Sequence, residues 1–196
     1  MQTSGKKLFS VFELYQIITL AFRSIPLLQK AKAAGKMDKA FLKRIMLAVT
    51  EVNGCAMCSY YHTKVALEEG FRAEEIRAML GGDFADVPEE QLRGVLFAQH
   101  YADQRGKPAR ESWDRIVEEY GETGAYGVLA VTRMIMMGNA IGIPSGSFLL
   151  RFRGKADPRS NVFYELMMML AMLVYLPLTG LTALALNLVK APILRF

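Results

Sequence analysis

At 196 residues the chain is long enough for one domain with a substantial buried core, and short for two. Apolar residues make up 52% and charged residues 22%, which excludes a disordered or low-complexity chain. The net charge is +5, but lysines and arginines are interleaved with acidic residues. The expectation is therefore a mixed solvated surface and no nucleic-acid partner.

The predicted elements are helices throughout. Leu8 to Ala33 has helical periodicity, with Pro26 expected to bend or divide it. Lys6-Lys7 precedes this apolar run, but Glu13 and Gln16 interrupt it and no small-residue cleavage site follows, so no secretory signal is expected. After a stop at Gly35, Asp38 is the N-cap of a helix carrying Phe41, Ile45 and Val49. Asn53-Gly54 breaks that helix immediately before Cys55. Cys55 to Glu69 is helical again with Gly70 at its end, and a short helix from Phe71 stops at Gly81-Gly82. Pro88-Glu89-Glu90 opens a helix through His100 and Tyr101. Glu111 to Glu119 and Ala125 to Ala140 complete a compact bundle, the last ending near Gly142-Ile143-Pro144.

The final stretch differs in character. Leu166 to Val189 carries no charge and is long enough to span a bilayer, yet Pro177 and Gly180 are expected to divide it into two shorter helices. Length alone leaves an oligomer core and a membrane surface both open for it. The basic cluster Arg151, Arg153, Lys155 and Arg159 before it would suit a cytoplasmic flank. The chain thus reads as an N-terminal helical segment (1–36), a helical domain (37–150), and a basic turn with an apolar tail (151–196).

The chemistry concentrates in Glu51-Val-Asn-Gly-Cys55-Ala-Met-Cys58-Ser-Tyr-Tyr-His62. Two cysteines with two residues between them can close a disulfide on one helical turn, which gives a reversible two-electron couple. So small a loop restricts the unfolded chain little, and stability is a poor reason for it. A helix start at the first cysteine favours thiolate there. His62 lies four residues beyond Cys58 and shares its helix face, where imidazole can take the thiol proton. These arguments make Cys58 the candidate attacking thiol and Cys55 the resolving one, with the reverse order open because the helix-start argument favours Cys55. On a continuous helix Glu51, Cys55, Cys58 and His62 fall within roughly 60° of arc, but Glu51 and His62 would stand about 16 Å apart. Glu51 can join them only through Cys55 or a chain that folds back.

A zinc site from Cys55, Cys58, His62 and distant His100 lacks a second close-spaced pair, so no metal and no cofactor are expected. His100 reads as an ordinary histidine, Tyr60 and Tyr61 as packing groups, and the methionines at 134, 136, 137 and 167–169 as core.

This motif, followed by Ala66-Leu67-x-x-Gly70, Glu74-Glu75-Ile76, Phe97-Ala98 and Asn139-Ala-Ile-Gly-Ile-Pro144, resembles the AhpD-like alkylhydroperoxidase/carboxymuconolactone decarboxylase family over roughly residues 37–150. The resemblance implies an all-α, AhpD-like bundle assembled into trimers or hexamers. It also implies thiol-dependent peroxidase or disulfide reductase activity; an external dithiol reductant is expected to close the cycle, and two cysteines with no secretory signal make a reducing cytoplasm the expected compartment, with membrane association open through the tail. In the family the second cysteine, here Cys58, reacts with peroxide, the first resolves it, and the histidine belongs to a proton relay. Two departures stand out. The relay's glutamate position, about three helical turns before the first cysteine, falls at Lys43-Arg44, and Met57 replaces an aromatic residue. The alternatives are a decarboxylase acting on a small organic acid and a non-catalytic, membrane-associated assembly protein.

Overall fold

The computed structural model describes residues 6–194 and 196. Among these residues there are seven helices and no strand: α1 Val11–Ala33, α2 Lys39–Asn53, α3 Ala56–Glu68, α4 Ala73–Leu80, α5 Glu89–Asp103, α6 Arg110–Arg151 and α7 Val162–Leu188. Residues 1–5 of the N-terminal segment lie outside the described residues.

Local signals set most helix starts. Ser10 and Glu13 form a reciprocal capping box at α1. Asp38 Oδ1 accepts from the Phe41 amide at 2.7 Å at the start of α2. Asn161 does the same for Tyr164 at the start of α7.

The breakers act less often than their residue types suggest. α1 runs unbroken through Pro26, α6 continues past Gly142 and Pro144 to Arg151, and α7 runs through both Pro177 and Gly180. A proline removes one backbone bond and crowds one carbonyl. In a long helix packed along its length, that local loss is outweighed by the apolar surface its neighbours bury. The single internal interruption is at Gly121, whose backbone leaves helical geometry and turns the first part of α6 away from the rest.

The core lies where α1 and α2 pack on α6, with Ile18, Ile45, Leu47, Val49, Val128 and Leu129 fully buried. α5 closes one side through Val95 and Tyr101, and α7 lies across α1 and α6. The N-terminal helix is therefore part of the same core as the residues that follow it.

α7 is segregated in the opposite sense to an ordinary surface helix. Every exposed residue on it is apolar, and Leu170, Leu173, Leu181, Leu184 and Leu188 are each more than half exposed. Its polar side chains turn inward: Tyr15 and Thr182 share a hydrogen bond at 2.8 Å, and Asn187 Oδ1 accepts from Arg23 Nε at 3.1 Å. Glu165 is fully buried and accepts from Arg151, Ser147 and Ser160. α1, α6 and α7 are each long and apolar enough to cross a membrane.

The basic cluster before α7 is only partly a surface feature. Arg151 is committed to Glu165, and Arg159 forms an ion pair with Asp157 at 2.6 Å. Arg153 and Lys155 remain exposed.

Candidate functional site: a dithiol at a helix start

Three helices build the site. α2 ends at Asn53, and Gly54 takes a left-handed conformation (φ 68°) that a side chain would strain. The chain reverses there, so Cys55 becomes the N-cap of α3. Its sulfur accepts from the Cys58 amide at 3.2 Å, where the helix start concentrates positive potential.

Cys55 and Cys58 are joined as a disulfide with their Cα atoms 5.2 Å apart. Cys55 is fully buried, whereas Cys58 keeps 8% of its surface exposed. Access from solvent therefore favours Cys58, and thiolate stabilisation favours Cys55.

α6 forms the floor beneath the sulfurs. A Cβ on Gly142 would stand 2.6 Å from Cys58 Sγ and 2.9 Å from Cys55 Sγ, so only glycine lets α6 approach this closely. One turn earlier, the Gly138 carbonyl oxygen lies 3.6 Å from Cys58 Sγ, positioned to accept from that thiol when it is reduced. Thr50 Oγ1 donates to Asn139 Oδ1 at 3.2 Å, a fully buried clamp between α2 and α6. Met57 packs over Gly142 and Gly146.

Arg159 fixes the α2–α3 turn from far along the chain. It donates to the Gly54 carbonyl at 2.8 Å and the Asn53 carbonyl at 3.3 Å, the unpaired end of α2. Burial pushes the Asp157 carboxyl up, but hydrogen bonds from Arg159 outweigh it and hold the carboxyl below its ordinary range.

His62 is half-buried on α3, with its Nδ1 enclosed and without a hydrogen-bond partner. Burial first, and then the positive charge of Lys43, lowers its pKa from 6.5 to about 4. The imidazole is neutral at physiological pH. Lys43, which occupies the relay-glutamate neighbourhood, lies 3.9 Å from Glu69. A carboxylate there would favour imidazolium; this cation opposes it.

The structure brings Cys55, Cys58 and His62 onto one short helix but does not bring Glu51 to them. Glu51 Oε1 accepts from Lys6 Nζ at 2.8 Å, and the same ammonium meets the Glu51 carbonyl. His100 Nε2 accepts from the Ala109 amide at the start of α6. Tyr60 and Tyr61 are exposed instead of packed, with the Tyr61 ring edge-on to His62. Among the described residues no group of three His, Cys, Asp or Glu side chains could hold a metal ion.

The carboxymuconolactone decarboxylase family model matches residues 24–98, from inside α1 to inside α5. Over those residues the chain is similar to that family. No curated protein and no solved structure matches the chain. The matched segment contains the dithiol and His62, whereas Gly138, Gly142 and Arg159 lie beyond it.

Sequence reasoning missed Gly142 as the close contact and Arg159 as the brace. Gly142 carries a signal in hindsight, a glycine inside a long apolar helix. Arg159 carries none, because its partners are about a hundred residues away.

Proposed function

We propose that this chain is a thiol-disulfide oxidoreductase that reduces hydroperoxides or disulfides through Cys55 and Cys58. The observation that carries this reading is the placement of Cys55 as the N-cap of α3, bonded to a more accessible Cys58. The Cys58 thiolate attacks the outer oxygen of a hydroperoxide, breaking the O–O bond; the alcohol leaves with a proton, and Cys58 becomes a sulfenic acid. The Cys55 thiolate then attacks the Cys58 sulfur, forming the disulfide and releasing hydroxide, which is protonated to water. An external dithiol attacks the accessible Cys58 sulfur, and Cys55 leaves as a thiolate stabilised at the helix start. A second thiol of the reductant completes the exchange.

Neutral His62 supports this cycle as a base. It lies four residues beyond Cys58 on α3, the spacing at which side chains share a helix face, and in the reduced state its imidazole would compete with the Gly138 carbonyl for the Cys58 proton. The test uses single-cysteine variants treated with cumene hydroperoxide and dimedone, followed by intact mass. Cys55→Ser, which retains Cys58, should gain one dimedone adduct much faster than Cys58→Ser. Equal or inverted rates would reverse the order of attack, and no adduct in either would remove hydroperoxide as substrate.

For α7 we infer a position against lipid, lying in the membrane surface with its outer face buried. Its exposed residues span roughly 160° of arc at about 100° per residue, along a helix ~40 Å long. That arc is wider than the seam a coiled-coil partner covers. Arg153 and Lys155 before the helix and Lys190 after it are exposed, as cations meeting anionic headgroups would be. Wild type should float with vesicles of phosphatidylcholine and phosphatidylglycerol, whereas Leu170→Glu/Leu181→Glu should stay in the soluble fraction with helicity unchanged. Wild type that ignores vesicles, and forms an oligomer the double variant loses, would assign the face to a second copy instead.

A further inference from the structure

Away from the dithiol, a cavity of about 350 Å3 lies between α1, α6, α7 and the C-terminal residues. Its walls are mostly apolar, with Ile17, Leu20, Met136 and Leu186 among them. Arg133 on α6 also lines it and is 3% exposed. Its guanidinium donates to the Tyr101 hydroxyl at 2.9 Å, the Ser24 hydroxyl at 3.2 Å and the Ile193 carbonyl at 2.8 Å. All three acceptors are neutral. A guanidinium has five N–H groups, so two of them remain available.

A buried cation satisfied only by dipoles lacks the counter-charge that normally offsets its desolvation. Glu13, a carboxylate on the cavity wall, does not supply it. Arg105 binds Glu13 at 2.6 Å and holds its carboxyl at about 2. Apolar walls around one buried guanidinium with N–H groups to spare describe an amphiphile's site, not a water pocket.

We propose that this cavity binds a monocarboxylate with an apolar body, of medium-chain fatty-acid size, with the carboxylate on Arg133. At about 30 Å3 per water-sized group the space accepts roughly a dozen non-hydrogen atoms. The two open N–H groups suit two carboxylate oxygens, and the tail lies between Ile17, Leu20 and Leu186. The site does not rest on the redox reading: Met136, whose sulfur accepts from Asn53 at 3.2 Å, stands between the cavity and the α2–α3 turn.

Isothermal titration of the full chain with octanoate and with octan-1-ol tests this. Wild type should bind octanoate at least tenfold more tightly than octan-1-ol, and Arg133→Met should bind the two alike. Leu186→Trp, which fills the cavity and leaves the charge, should abolish octanoate binding; this arm and the wild-type ratio decide the matter if Arg133→Met fails to fold. No octanoate binding in wild type, equal affinity for the alcohol, or undiminished binding in Leu186→Trp would overturn the proposal. All of these proteins retain both cysteines, so their hydroperoxide-dependent thiol loss is read independently.

Discussion

Replacing Gly142 with alanine probes the contact between α6 and the dithiol directly. The added Cβ would stand 2.6 Å from one sulfur and 2.9 Å from the other, closer than real Cβ atoms tolerate. Because the two sulfurs are bonded, neither can rotate away alone, and α6 or α3 must shift. Overpacking of this kind costs about 1–3 kcal/mol. Alanine in a helix interior returns about 0.5–1 kcal/mol relative to glycine. The net loss is then about 0–2.5 kcal/mol, or roughly 0–10 °C in Tm for a chain of this size. Gly138 on the same helix supplies the control, since a Cβ there meets only Ile135 Cδ1 at an ordinary 3.7 Å. Gly138→Ala should raise Tm by about 1–4 °C from the same helix term. Thermal denaturation of the oxidised proteins by circular dichroism measures both. Reductant should narrow the gap, because separated thiols can turn aside. If oxidised Gly142→Ala is as stable as Gly138→Ala, the close packing of α6 on the disulfide is refuted.

His62 gives a pH signature. Its pKa is near 4 in the folded chain and 6.5 when unfolded, so between those values the unfolded chain binds the extra proton. Stability from this group is complete above about pH 6.5 and is lost as pH falls towards 4; solvent screening leaves about 1–2 kcal/mol of it. Across that window the denaturant midpoint of wild type should fall relative to that of His62→Gln as pH falls, and parallel curves would contradict the assignment. Arg159→Met removes the brace on the Asn53 and Gly54 carbonyls and strands a part-buried Asp157, at a cost of about 3 kcal/mol. It should also slow disulfide closure in stopped-flow oxidation; closure at the wild-type rate would deny it a positioning role. Glu51→Gln leaves Lys6 a neutral acceptor and should not change the rate of thiol oxidation by more than about twofold, because the carboxylate faces Lys6. A tenfold loss would return Glu51 to the proton path.

The dithiol was legible because all its determinants are local. The Asn53-Gly54 break, the cysteine spacing and the i+4 histidine follow from a dozen consecutive residues. The helix start at Asp38 followed from the same local rules, whereas the start of α7 at Asn161, five residues before the uncharged stretch, was not anticipated. What escaped was set by tertiary packing. Pro144 and Pro177 look like stops, yet α6 and α7 continue through them. Glu51 shares an arc with the cysteines only on an unbroken helix; the reversal at Gly54 sends α3 elsewhere, and Lys6 takes the carboxylate. Arg159 sits in a basic cluster that invites a surface reading, although it spends its charge on Asp157 and its remaining donors on the α2 terminus. In α7 the apolar composition was plain, but its distribution, apolar outward and polar inward, became visible only with α1 and α6 in place.

The central claim is that Cys55 and Cys58 form one two-electron couple. Its most direct measurement is thiol titration of the reduced chain before and after one equivalent of hydroperoxide, in wild type and in Cys58→Ser. Wild type should lose both thiols for each peroxide consumed, with no sulfenic acid persisting, and Cys58→Ser should keep its single thiol. Peroxide that leaves the wild-type thiols untouched would contradict it, as would turnover of a small organic acid that survives Cys58→Ser.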